Sequence, residues 1–120
     1  MKIAISAKGD KLTSEIDPRF GRASYFIIYD TSDDSFEAIT NEQNAQASQG
    51  AGVQSAQTVA GKKVEWVVSG NMGPKAFMGL QAAGIKIASW DKGTVEEAVK
   101  LIKENKLEEI SQANVQGHWQ

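Results

Sequence analysis

Apolar residues alternate from the first positions of the chain. In KIAIS, Ile3 and Ile5 fall on one side, which predicts a short core strand. Ala7 to Pro18 is polar, carries Gly9 and Asp10, and predicts a loop. SYFIIYD (Ser24 to Asp30) and FEAIT (Phe36 to Thr40) are rich in aromatic and β-branched residues, and the TSDDS cluster between them predicts an antiparallel hairpin. Asn41 to Gln49 shows neither periodicity nor large apolar residues and reads as a solvent-facing loop.

The period then changes. In GAGVQSAQTVAG, Val53, Ala56, Val59 and Ala60 stand at helical spacing and Gly61 is placed to stop the helix. EWVVSG predicts a buried strand ending at Gly70, with Trp66 in the core. KAFMGLQAAG predicts a helix with Pro74 in its first turn and Gly84 at its end. IKIASW is a further strand. GTVEEAVKLIKEN is a helix opened by a capping box, with Thr94 accepting from the Glu97 backbone and Glu97 reaching back, and with Val95, Ala98, Val99 and Ile102 as its core stripe. The order β-β-β-α-β-α-β-α implies an α/β fold: a mixed five-stranded sheet with three helices covering both faces. The pattern predicts a single domain over residues 1–110, including a short addition at Leu107 to Ile110, and a disordered tail over residues 111–120.

Composition narrows the chemistry. Thirteen basic and fifteen acidic residues give a net charge of -2 without a long run of either sign, which argues against nucleic acid or an anionic membrane as the main partner. With no cysteine, disulfides, thiolate catalysis and Cys-held iron–sulfur clusters are excluded. His118 stands alone in the tail and cannot build a metal site, so no protein-coordinated metal is expected. MKIAIS enters a strand without an apolar signal run, and no stretch approaches a membrane span, so the expected location is the cytoplasm. There is no nucleophile elbow, no P-loop and no histidine placed for acid–base work, and no carboxylate falls in the first strand. The expectation is binding and not an enzyme.

Three glycine-bearing turns carry the candidate chemistry: RFGR (Arg19 to Arg22), QGAG (Gln49 to Gly52) and SGNMGP (Ser69 to Pro74). The last two open helices, whose first backbone N–H groups attract anions, and SGNMG ends a parallel strand, where α/β sheets place ligands. Arg19, Arg22, Gly50, Gly52, Ser69, Asn71, Met72 and Gly73 are therefore the candidate site residues, gathered in one anion-accepting crevice. Each has a plainer reading. GAGVQS is a poor dinucleotide fingerprint, Met72 is more commonly a gap-filler than a soft contact, and Arg22 is as well suited to pairing with Asp17 or capping a carbonyl as to holding a ligand.

Together, KIAIS, RFGRASYFIIYD, GAG ahead of a helix, VVSGNMGPKAF, LQAAGIKI and GTVEEAVKLI resemble the dinitrogenase iron-molybdenum cofactor biosynthesis domain family, which includes small carriers of nitrogenase cofactor assembly and the molybdenum–copper orange-protein type. The resemblance runs from Met1 to about Ile110. It implies a ribonuclease H-like fold without nuclease activity and noncovalent carriage of a metal–sulfur cluster, or its precursor, containing molybdenum, iron or copper, for a recipient protein. The family's HFGR-type turn falls on Arg19, Phe20, Gly21 and Arg22, and many members carry histidine where this chain has Arg19. With that ligand replaced, the resemblance implies a polyanionic cluster gripped through its sulfide periphery by arginine and backbone N–H groups. Phe20 is expected to anchor the turn in the core. The rival expectation is a regulatory or interaction domain that binds a small anionic metabolite or a partner protein.

Overall fold

The computed structural model describes residues 1–46 and 50–113. Strands β1 (Lys2–Ala7), β2 (Tyr25–Asp30), β3 (Ser35–Thr40), β4 (Trp66–Ser69) and β5 (Lys86–Ser89) form one sheet in the order β3-β2-β1-β4-β5. The hairpin strands β2 and β3 are antiparallel, β2 is antiparallel to β1, and β1, β4 and β5 run parallel. The helices are α1 (Glu42–Ala45), α2 (Ala51–Ala60), α3 (Pro74–Ala82) and α4 (Val95–Lys103).

Each face of the sheet has its own apolar layer. Ala4, Phe26, Ile28, Val67 and Ile87 pack under α2 and α3 with Val59, Phe77 and Leu80. On the opposite face Ile3, Ile5, Ile27, Tyr29 and Val68 pack under α4 with Val95, Ala98, Val99 and Ile102. Because β1 lies at the centre and is covered on both sides, Ile3 to Ala7 is buried throughout and alternation there no longer separates core from solvent. The predicted capping box of α4 is present: Glu97 N–H donates to Thr94 Oγ1 and Thr94 N–H to Glu97 Oε1.

Three expectations are corrected. The described residues hold four helices, not three, because Glu42–Ala45 is helical. That stretch is not a wholly solvent-facing loop either: Asn41 and Asn44 are buried, and amide hydrogen bonds fix them where no apolar stripe is available to be read. Ala47 to Gln49 lies outside the described residues. Trp66 is only partly buried, with the Lys86 ammonium 5.7 Å from its ring centroid, because it is the first residue of β4 and packs at the margin of the α4 layer. Beyond α4, Ile110 N–H donates to the Ile87 carbonyl and Glu109 bridges Ala88, so this segment lies along the outer edge of β5. Ala113 packs against the layer beneath α2 and α3. The tail expectation beyond Ala113, with His118 and Trp119, falls outside the described residues.

Candidate functional site

The carboxyl ends of the parallel strands, at Ala7, Ser69 and Ser89, lie on one edge of the sheet. β2 runs the other way, so the RFGR turn leading into it reaches the same edge, as does the start of α3. Backbone hydrogen bonds join the two turns. Phe20 N–H donates to the Asn71 carbonyl at 3.1 Å, Asn71 N–H donates to the Pro18 carbonyl, and Arg19 and Asn71 form a parallel bridge. Gly70 makes this approach possible: a methyl group there would stand 2.7 Å from the Pro18 oxygen and 2.8 Å from Asp91 Cβ. Phe20 fastens the turn from below, 1% exposed and with its ring centroid 5.1 Å from that of Phe26.

Buried polar groups underlie the turn. The Ser6 hydroxyl lies 2.7 Å from the Asp17 carbonyl and 2.8 Å from the Ser69 hydroxyl. A carbonyl can only accept, so Ser6 donates to Asp17 and takes its second hydrogen bond from Ser69. Ser69 thus belongs to the floor. The Asp17 side chain is 4% exposed, and its Oδ1 accepts from Arg19 N–H at 3.0 Å with Arg19 Nε at 3.5 Å. The Arg19 side chain itself is 54% exposed and presents its guanidinium at the surface.

Arg22 points elsewhere. It is half-buried, and its Nη1 donates to the Ala45 carbonyl at the end of α1, at 2.8 Å. Asn41 completes the support: fully buried, it donates to the Gly21 and Ala23 carbonyls and accepts from the Asn44 amide and the Ser55 hydroxyl. Ser55, one turn into α2, has a single hydroxyl proton, shared between Asn41 Oδ1 at 3.2 Å and the Gly21 carbonyl at 3.3 Å, which brings the start of α2 to the RFGR turn.

The remaining candidates divide by exposure. Gly50 is exposed and adopts φ 78° as the N-cap of α2, and Gly73 is the N-cap of α3, so both helices open on a residue with no side chain of its own to cap them. Asn71 is exposed, while Gly52 and Gly73 are buried. Met72 is 3% exposed within the apolar layer beneath α2 and α3, so its thioether fills the core in this structure. The edge at the carboxyl ends of the parallel strands thus holds both turns, with Arg19, Asn71 and Gly50 exposed and Ser69 and Met72 buried. Among the described residues no three His, Cys, Asp or Glu side chains come together as a metal-holding group.

Sequence reasoning missed Asn41, Ser55, Ser6 and Gly70. Gly70 and Ser55 carried signals: a glycine between a strand end and Asn71, and a small polar residue on the apolar side of a helix. Asn41 carried none beyond its place just after a strand.

The dinitrogenase iron-molybdenum cofactor family model matches residues 1–105. The apo form of the orange protein from Desulfovibrio gigas is similar, with a TM-score of 0.92 and 36% identity over 95% of this chain and 96% of that one. A NifB-like protein from Thermotoga, of the DUF35 family, superposes with a TM-score of 0.83 at 37% identity over 97% and 98% of the two chains. An uncharacterised protein of Methanocaldococcus jannaschii is 29% identical over 112 residues, covering 92% of each chain. With its mixed sheet, its paired turns and a match over nearly its whole length, the chain belongs to the dinitrogenase iron-molybdenum cofactor family.

Proposed function

We propose that the protein is a non-catalytic carrier that holds an anionic metal–sulfur cluster, or its precursor, at the crevice edge and releases it to a recipient protein. The observation that carries this reading is the backbone union of the RFGR turn with the β4–α3 turn through Arg19 and Asn71. It sets an exposed guanidinium beside a helix start led by Gly73. A thiometallate anion brings its own sulfides to the metal and offers them as acceptors, which suits guanidinium and N–H donors and needs no protein ligand. Asp17 offsets part of the Arg19 charge, which favours a multiply charged ligand held reversibly. The family membership and the likeness to the orange protein support the same class of ligand. The strand order supports reading the sheet as ribonuclease H-like, used here for binding.

The test is anaerobic incubation with tetrathiomolybdate, alone and with a copper salt, followed by desalting and metal analysis. The expected result is a coloured protein with molybdenum retained in a fixed ratio. Colourless protein that retains a phosphorylated metabolite instead would replace this reading with the regulatory one.

A further inference from the structure

The two edges of the sheet are treated differently. The outer edge of β5 is covered by the protein's own chain at Glu109 and Ile110. The outer edge of β3 has no strand partner among the described residues.

The directions of its backbone groups follow from the ladder. Thr31 N–H donates to the Met1 carbonyl, on the β1 side, so the even-numbered residues of β2 turn their N–H groups toward β3. Their partners, Ser35, Glu37 and Ile39, are therefore bonded inward, as is Asn41, whose N–H donates to Ser24. The N–H and C=O groups of Phe36, Ala38 and Thr40 then face outward. Among the described residues the edge stays open: β3 contains no proline and no lysine, its one charged residue Glu37 is paired with Lys62, it keeps unbroken register with β2, and Phe36 is 43% exposed.

Charge decides between occupants. Asp33 lies at one end of the edge and Glu42 at the other, neither in an ion pair among the described residues, and Glu37 between them is paired with Lys62. A second copy added antiparallel would set each acidic turn beside the other's Glu42, a like-charge contact at both ends. We infer that β3 accepts, by strand addition, an extended segment of a partner protein whose uncharged middle is flanked by lysine or arginine. The edge ends at Asn41, which holds the Gly21 and Ala23 backbone, so the docked segment lies beside the crevice. This inference stands whether or not a cluster is the ligand.

The test uses the full chain, isotope-labelled, with synthetic peptides carrying one Val-Thr-Val-Thr core flanked by Lys-Lys or by Glu-Glu. With the lysine-flanked peptide, amide exchange should slow at Phe36, Ala38 and Thr40 and not at Glu37 or Ile39, and the effect should fade with added salt. Ala38→Pro removes an outward N–H without touching the β2 ladder and should abolish the effect. Should that variant unfold, Glu42→Lys serves: it should weaken the lysine-flanked peptide and strengthen the glutamate-flanked one. Equal response to both peptides, changes confined to other residues, or no response overturns the inference. Protection of the same amides that rises with protein concentration alone would assign the edge to a second copy.

Discussion

Arg19 and Arg22 share one turn and do different work. Arg19 exposes its guanidinium beside Asp17, whereas Arg22 donates to the Ala45 carbonyl and ties the turn to α1. Arg19→Gln should therefore weaken tetrathiomolybdate retention by about 1 kcal/mol, roughly fivefold, with an unchanged melting temperature, the modest size following from its exposure. Arg22→Gln should lower the melting temperature, because it strips a half-buried carbonyl of its donor. Titration and melting on the same samples check both, and a stable Arg22→Gln protein would remove the structural role. Asn41→Ala should cost more, about 1 to 3 kcal/mol, since it leaves the Gly21 and Ala23 carbonyls without their amide donor inside the protein. Chemical denaturation measures that loss, and a change within a few tenths of a kcal/mol would show that the hub is dispensable.

At the level of elements, one polar contact ties α4 to the hairpin. Lys103 Nζ and the Tyr29 hydroxyl each donate to Asp34 Oδ1 at 2.6 Å, and Asp34 holds the left-handed position of the β2–β3 turn at φ 57°. The hydrogen bonds from Lys103 and then Tyr29 lower the Asp34 carboxyl below its ordinary value, and the bond to Asp34 raises Lys103. The signs differ accordingly. The Asp34 contribution is present above the ordinary carboxylate range, about 3.9, and is lost as pH falls through the lowered folded value. The Lys103 contribution is complete below the ordinary lysine value and is lost as pH rises through the raised one. Asp34→Asn should flatten both limbs of melting temperature against pH, and an acid limb as steep as the parent's would show that Asp34 does not contribute.

The elements also show how far the sequence could be read. The hairpin, the three longer helices and the capping box were legible because each rests on periodicity or on local side-chain-to-backbone bonds. α1 was not: its fixed points, Asn41 and Asn44, are held by partners far along the chain, and buried amides look like loop residues in a sequence. The site was legible in part for the same reason. Glycines and arginines marked the turns, but only the folded chain reveals that Gly70 admits Pro18, that Met72 turns into the core and that Arg22 reaches Ala45.

On the scale of the whole molecule, the net charge of -2 means that any anion is held against a mildly repulsive average field, so local donors must supply the attraction. Cluster retention should fall with added salt, and the slope should shrink in Arg19→Gln. A slope shared by parent and variant would place the electrostatic grip elsewhere. The two proposed sites occupy separate edges of the sheet, the carboxyl end of the parallel strands for the ligand and the flank of β3 for the partner, with Asn41 at the end of β3 holding the RFGR turn. No described helix is long and apolar enough to cross a membrane.

The central claim is that the RFGR turn and the β4–α3 turn form one anion-accepting site. Amide shift mapping of the labelled protein during anaerobic addition of tetrathiomolybdate tests it directly. Arg19, Gly21, Asn71 and Gly73 should shift together along one saturating curve, with Phe36 to Thr40 and α4 unmoved. Shifts confined to one of the two turns, or centred on any other face, would contradict the account.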